Sequence, residues 1–340
     1  MKLSIYPYTL KLKYPFTLAS GSRTTTPVVL IEMEYHGLTG YGEASLPPYL
    51  GETQESVIKF LSVVDLSKIS ENLNISDATD YIDHLALENT AAKAAIDIAL
   101  HDLKGKILNK SCTEFLNIPA KTYPISSYTI GMDSPKNIEK KIKEAENFDL
   151  FKIKLGGNHD REIIETVKKC TSKAFTVDVN QGWRNKYQAM DFIKMLEEIN
   201  CVYVEQPFSK EMIKETRWIA DRSSIPIIAD EAVQRLGDID RVNGIYHGIN
   251  IKLMKCTGIN EALKMIQFSK EKQMKIIIGS MTETSCGNTA AAHLTPLADW
   301  ADLDSSYLIT NDLFEGVKIV DGRVFLEKNK PGIGVKKINF

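Results

Sequence analysis

The chain has 340 residues, 43% hydrophobic and 25% charged, an ordinary globular composition that allows two domains or one large α/β barrel with an addition. Its 42 basic and 44 acidic residues give a net charge of −2 without a long basic patch or acidic tail, which argues against nucleic acid and membrane surfaces as partners. The opening MKLSIYPYTLKLKYPF interleaves Lys and Tyr with apolar residues, so no secretory signal is expected, and no apolar run approaches the ~20 residues needed to cross a bilayer. The cysteines Cys112, Cys170, Cys201, Cys256 and Cys286 are scattered and lack CxxC spacing; they read as reduced, mostly buried thiols of a cytoplasmic protein.

In chain order, residues 1 to about 120 predict an α+β unit. Residues 2–13 and 28–35 alternate as strands, and HGLTGYGEA supplies a glycine-rich hairpin. Between the strands, ASGSRTTTP is small, polar and closed by Pro27, which predicts a mobile loop. Helices are expected over 53–64, 77–85 and 89–108, the last rich in alanine. From about 121 to 305, eight short apolar runs recur: YPISSYTI, FKIKL, FTVDV, CVYVE, IPIIAD, GINIKL, KIIIGS and WADLD. Helical stretches such as DREIIETVKKC and INEALKMIQFSKEK separate them. Steps from Lys154 to Asp178, Glu205, Asp230 and Lys252 are 24, 27, 25 and 22 residues, the length of one strand–helix unit. This even repeat predicts a modified (β/α)7β TIM barrel of the α/β class, its eighth helix short or missing. The tail, about 306–340, is expected to pack back on the N-terminal capping unit.

Charges sit where parallel barrel strands should be apolar. Lys152 and Lys154, Asp178, Glu205, Asp230, Lys252, and Asp302 with Asp304 all fall at or near the C-terminal ends of their runs, the face on which TIM barrels carry active sites. For one acid alone, pairing with a neighbouring lysine would suffice. Asp178, Glu205 and Asp230 come from consecutive strands, and three crowded carboxylates stay ionised together only around a cation. Oxygen ligands without nearby His or Cys suit Mg²⁺. Lys154 and Lys252 flank the acids from opposite sides, as removing a proton on one face and returning it on the other requires. Lys152 beside Lys154 is a like charge expected to lower the amine pKa.

With KIK (152–154), DVNQGW (178–183), VEQP (204–207), ADE (229–231) and NIKLMKCTG (250–258) in this order, the chain resembles the enolase superfamily, in its muconate-lactonizing-enzyme subgroup. The resemblance spans nearly the whole sequence. It implies Mg²⁺ held by Asp178, Glu205 and Asp230, an acid/base pair Lys154/Lys252, and an ene-diolate held by the metal and Lys152. His247 precedes its strand and should lie at the wrong end of the barrel for a His–Asp base.

Asp302-Leu303-Asp304 resembles the Asp-x-Asp of dipeptide epimerases; two carboxylates across the mouth would bind an α-ammonium. A helix N-cap role for the pair is the alternative. Arg23, in the 19–27 segment, matches an arginine that relatives acting on Ala-Glu place against the glutamate side chain, although a solvated loop arginine reads equally well. Thr129 aligns with a substrate-contacting threonine. The resemblance thus implies an isomerase inverting the α-carbon of the C-terminal residue of L-Ala-L/D-Glu or related dipeptides. The rivals are an o-succinylbenzoate synthase or muconate-type cycloisomerase and, in another class, a non-catalytic peptide-binding barrel. Homo-oligomerisation stays open.

Overall fold

A computed structural model of the chain describes residues 1–18, 21–70, 73–119 and 123–338. The N-terminal unit is a three-stranded antiparallel meander, β1 (Lys2–Leu18), β2 (Gly21–Tyr35) and β3 (Leu38–Ser45), covered by helices α1 (Gln54–Ser62), α2 (Leu66–Ser70), α3 (Ile75–Leu85), α4 (Thr90–Leu108) and α5 (Cys112–Phe115). The predicted loop is largely strand: Gly21–Pro27 continue β2, with Ser22 opposite Thr17 and Arg23 opposite Phe16 beyond a register shift between Lys11 and Phe16. Backbone pairing across the hairpin suffices without hydrophobic alternation, which is why composition suggested a loop. Ala19 and Ser20 lie outside the described residues.

Alanines on α4 let the sheet approach closely. A Cβ on Gly42 would sit 2.0 Å from the Ala95 carbonyl oxygen, so only glycine allows β3 to lie against this helix. α4 is buried nearly all round, and its polar side chains tie separate parts together. Asp97 accepts from the backbone N–H groups of Ile259 and Asn260 at the start of a barrel helix. Asp102 accepts from Tyr41 N in β3 (2.9 Å) and Ile333 N in the tail (2.9 Å).

The barrel strands are β4 (Tyr128–Ile130), β5 (Leu150–Lys154), β6 (Ala174–Asp178), β7 (Cys201–Glu205), β8 (Ile227–Ala229), β9 (Gly248–Lys252), β10 (Lys275–Gly279) and β11 (Trp300–Asp302), all parallel and paired in sequence order. Bonds from Ser127 N to Ala301 O (3.1 Å) and Ala301 N to Ile125 O (3.2 Å) bring the last strand back to the first. The helices on the outside are α6 (Pro135–Glu144), α7 (Asp160–Cys170), α8 (Lys186–Glu197), α9 (Ile213–Ala220), α10 (Ile239–Val242), α11 (Ile259–Glu271), α12 (Ser285–Ala292) and the single turn α13 (Ser305–Leu308). The eight apolar runs of the sequence are these eight strands, and the fold is the expected enolase-like barrel with an N-terminal antiparallel unit. The tail returns to the N-terminal sheet: Thr310 N donates to Lys11 O (2.9 Å), and Lys337 pairs with Glu32 (2.6 Å).

Candidate active site

Strand register assembles the charges. Lys154 lies opposite Asp178 and Asp178 opposite Glu205, while Gly279 lies opposite both Lys252 and Asp302. Asp230 follows β8 by one residue. One oxygen each of Asp178, Glu205 and Asp230 lies within 4.8 Å of the others, and all three residues are buried.

Each carboxylate divides its oxygens. Asp178 Oδ1 accepts from the Asn180 backbone N–H (3.0 Å), and Oδ2 accepts from Lys154 Nζ (2.6 Å) with Lys152 Nζ at 3.1 Å. Glu205 Oε1 accepts from Asn250 Nδ2 (2.9 Å). Its Oε2 forms an ion pair with Lys152 Nζ (2.9 Å) but, among the described residues, has no hydrogen-bond partner. Asp230 Oδ1 accepts from Lys255 Nζ (2.6 Å) and Oδ2 from Lys252 Nζ (2.7 Å). An all-oxygen set with an oxygen left over fits a hard divalent cation such as Mg²⁺.

Electrostatics follow from these contacts. Burial would raise Asp178, but Lys154 and Lys152 hold it down at about 2. Burial and the charge of Asp178 push Glu205 up to about 7. Against its burial, Lys252 and Lys255 hold Asp230 well below the usual carboxylate range. Burial also disfavours the ammonium of Lys152, yet Asp302, Glu205 and Asp178 outweigh it and hold Lys152 well above its ordinary value. Lys252 is likewise raised, burial being outweighed first by Asp230.

Across the mouth, Asp302 Oδ1 accepts from Ser127 Oγ (2.8 Å) and Oδ2 from Lys152 Nζ (2.7 Å). Asp304 occupies the N-cap position of α13 but makes no side-chain cap bond. Its Oδ2 instead accepts from Thr129 N (2.5 Å) on β4. Burial and the neighbouring Asp302 raise Asp304 to about 7. The helix-cap alternative thus does not describe this residue. Arg23 stacks over Phe16 (5.1 Å to the ring centroid) and donates to Thr282 Oγ1 (3.1 Å) and Thr26 Oγ1 (3.2 Å), hydroxyls rather than carboxylates.

Lys152, Lys154, Lys252, Asp230, Asp302, Asp304, Arg23 and Thr129 line one cavity of about 170 Å³. Asp178 and Glu205 lie beneath it. His247 caps the opposite end, its Nδ1 accepting from Ile227 N (3.0 Å) at the start of β8. Sequence reasoning missed the walls Tyr49 and Met281, whose Oη and Sδ meet at 3.1 Å. It also missed Asn250 and Lys255; the one available signal was polar residues within and just after an apolar strand. An open groove of about 900 Å³ between α6 and α7 carries lysines and glutamates of both signs without a convergent set.

A carboxylate cluster suited to one divalent cation lies at the mouth of an enolase-like barrel, with Lys154 and Lys252 bonded to different members of it and Phe16, Leu18 and Arg23 of the N-terminal sheet lining the same cavity. Residues 1–117 match the mandelate racemase/muconate lactonizing enzyme N-terminal domain, and residues 137–337 match the enolase C-terminal domain-like family. The chain belongs to this family, within the enolase superfamily. It is 47% identical to the L-Ala-D/L-Glu epimerase of Bacteroides thetaiotaomicron, covering 99% of this chain and 88% of that one. Its fold resembles the substrate-liganded L-Ala-D/L-Glu epimerase of Bacillus subtilis (TM-score 0.92, 26% identity, 100% and 99% covered). It also resembles the dipeptide epimerase of Enterococcus faecalis complexed with Mg and L-Leu-L-Tyr (TM-score 0.91, 28% identity, 98% of both chains).

Proposed function

We propose that this chain is a Mg²⁺-dependent isomerase that epimerises dipeptides of the L-Ala-D/L-Glu type at the α-carbon of the second residue. The observation that carries the reading is that one cavity is lined at once by Lys154, Lys252, the acidic pair Asp302/Asp304 and Arg23. Identity of 47% to an L-Ala-D/L-Glu epimerase supports the substrate class.

Asp178, Glu205 and Asp230 would hold the metal. When bound there, Mg²⁺ would supply positive charge to the three acids and to the carboxylate of the substrate. Lys154 and Lys252 are anchored on different carboxylates, Asp178 and Asp230, and on this reading they would stand on opposite faces of the α-carbon. The one present as free amine takes the α-proton; the other, as ammonium, returns a proton to the opposite face. Lys152 keeps a fixed positive charge beside the developing one. Asp302 and Asp304 receive the α-ammonium of the first residue, with Thr129 orienting Asp304. Arg23 receives the glutamate carboxylate by a charge-assisted bond. A cycloisomerase or synthase substrate, lacking an ammonium, would offer no cation to Asp304, the member of the pair that Lys152 does not bind.

We take residues 1–120 as the capping domain, 121–305 as the barrel and about 306–340 as a tail belonging with the cap. We take the setting as cytoplasmic, which the five free cysteines fit, and the substrates as cell-wall peptides. Among the described residues no helix is long and apolar enough to cross a membrane. The test is incubation with a dipeptide library in D₂O. Deuterium at the α-carbon of the second residue of Ala-Glu is the expected result. Exchange only in N-acylated amino acids, or none at all, contradicts the reading.

A further inference from the structure

Each acid of the cluster has one oxygen held by a donor other than Lys152, Lys154 and Lys252. For Asp178 the donor is a backbone N–H. For Glu205 and Asp230 it is a side chain the proton-transfer chemistry does not use: Asn250 Nδ2 at 2.9 Å and Lys255 Nζ at 2.6 Å. Lys255 is only 1% exposed and its three protons have three acceptors, the third and second being Asp230 O (2.8 Å) and Asn250 O (2.9 Å). It therefore ties the end of β8 to β9 and has no donor left for a ligand. Asn250 is fully buried, and β10 makes room for it: a Cβ on Gly279 would lie 2.5 Å from Asn250 Oδ1.

An oxygen already engaged from outside is poorly placed to turn inward. A carboxylate so held offers a cation one oxygen rather than two. Mg²⁺ demands near-ideal octahedral geometry from single oxygens, whereas Ca²⁺ accepts more ligands and often takes carboxylates through both oxygens. We propose that Lys255 and Asn250 are positioning residues of the metal site, which pin the outer oxygens of Asp230 and Glu205 and so set a preference for Mg²⁺ over Ca²⁺. The inference rests on the reading of Asp178, Glu205 and Asp230 as metal ligands.

The test counts free Mn²⁺ by electron paramagnetic resonance while Mg²⁺ or Ca²⁺ displaces it from wild type, Lys255→Met and Asn250→Ala. The ratio of the two affinities is the readout. Removing a lysine changes attraction for any divalent ion, but that effect largely cancels between two ions of equal charge. Outer ligand partners typically change metal binding by ~10–100-fold, so wild type should favour Mg²⁺ and each variant should shift the ratio toward Ca²⁺ by at least ~10-fold. Asn250→Ala leaves every charge in place and carries the test by itself if Lys255→Met does not fold. An unchanged ratio, or a wild type without preference, overturns the assignment while leaving the metal site standing. A wild type that binds no Mn²⁺ contradicts the metal site itself.

Discussion

Lys152 Nζ lies 2.7 Å from Asp302 Oδ2 and so couples the acid pair on the last strand to the carboxylate cluster, which the same ammonium touches at Asp178 and Glu205. The two aspartates are therefore not equivalent. Asp302 is neutralised by a lysine, while Asp304 accepts from Thr129 and rises to about 7. Losing a charge-assisted contact costs about 1.5–3 kcal/mol, or roughly 10–150-fold. Asp304→Asn should lower kcat/KM for L-Ala-L-Glu by at least tenfold. Asp302→Asn should do more, since it also releases Lys152. N-acetyl-Ala-Glu should be a poor substrate of the wild type. Equal use of free and acetylated dipeptide would remove the ammonium role of both residues.

Metal dependence is checked with Asp178→Asn, Glu205→Gln and Asp230→Asn. Each should abolish turnover while far-UV circular dichroism stays native. EDTA should silence the wild type and Mg²⁺ should restore it. Undiminished turnover in metal-free buffer would be incompatible with the site described.

On the proposed reading, Arg23 carries the preference for glutamate. Its guanidinium rests on Phe16 at the cavity rim and donates to the hydroxyls of Thr26 and Thr282. Arg23→Met should cost about ten- to a hundredfold in kcat/KM for Ala-Glu and much less for Ala-Leu, the scale of one partly exposed charged hydrogen bond. A uniform loss across dipeptides would mean that Arg23 serves only to close the hairpin over the site.

These residues differ in how far the sequence disclosed them. Asp178, Glu205, Asp230 and Lys252 were legible because a charge at the end of a buried parallel strand contradicts its surroundings. The hairpin at 21–27 was not, since its small polar residues pair through the backbone and leave no alternation. Helix α12, SCGNTAAA, is buried throughout and shows no apolar period. Helix α6, PKNIEKKIKE, hides its buried face among lysines. Lys255 follows Lys252 by three residues and looks like a surface lysine; only the fold turns it inward onto Asp230.

His293 sets an acid limit on stability. It is buried between Thr113 and Ile333, with Thr113 Oγ1 2.7 Å from Nδ1 and Ile333 O 3.1 Å from Nε2. Burial lowers it to about 4, against about 6.5 for an unfolded histidine. Between these values the unfolded chain binds a proton that the folded chain does not. This contribution to stability is therefore present above about pH 6.5 and is lost as pH falls toward 4, by roughly 3 kcal/mol at most. The urea midpoint of the wild type should fall across this window, and His293→Gln should show a shallower fall. Identical slopes for the two proteins would contradict this assignment.

If Lys154 and Lys252 act on opposite faces, the most direct measurement follows both stereoisomers through single-lysine variants. Lys154→Ala and Lys252→Ala are each incubated with L-Ala-L-Glu and L-Ala-D-Glu in D₂O, scoring α-deuterium and configuration separately. The account predicts that both variants lose at least ~10² in epimerisation rate. It further predicts that each still exchanges the α-proton of one isomer only, the two variants choosing opposite isomers. Near wild-type epimerisation by either variant, or exchange of the same isomer by both, would contradict it.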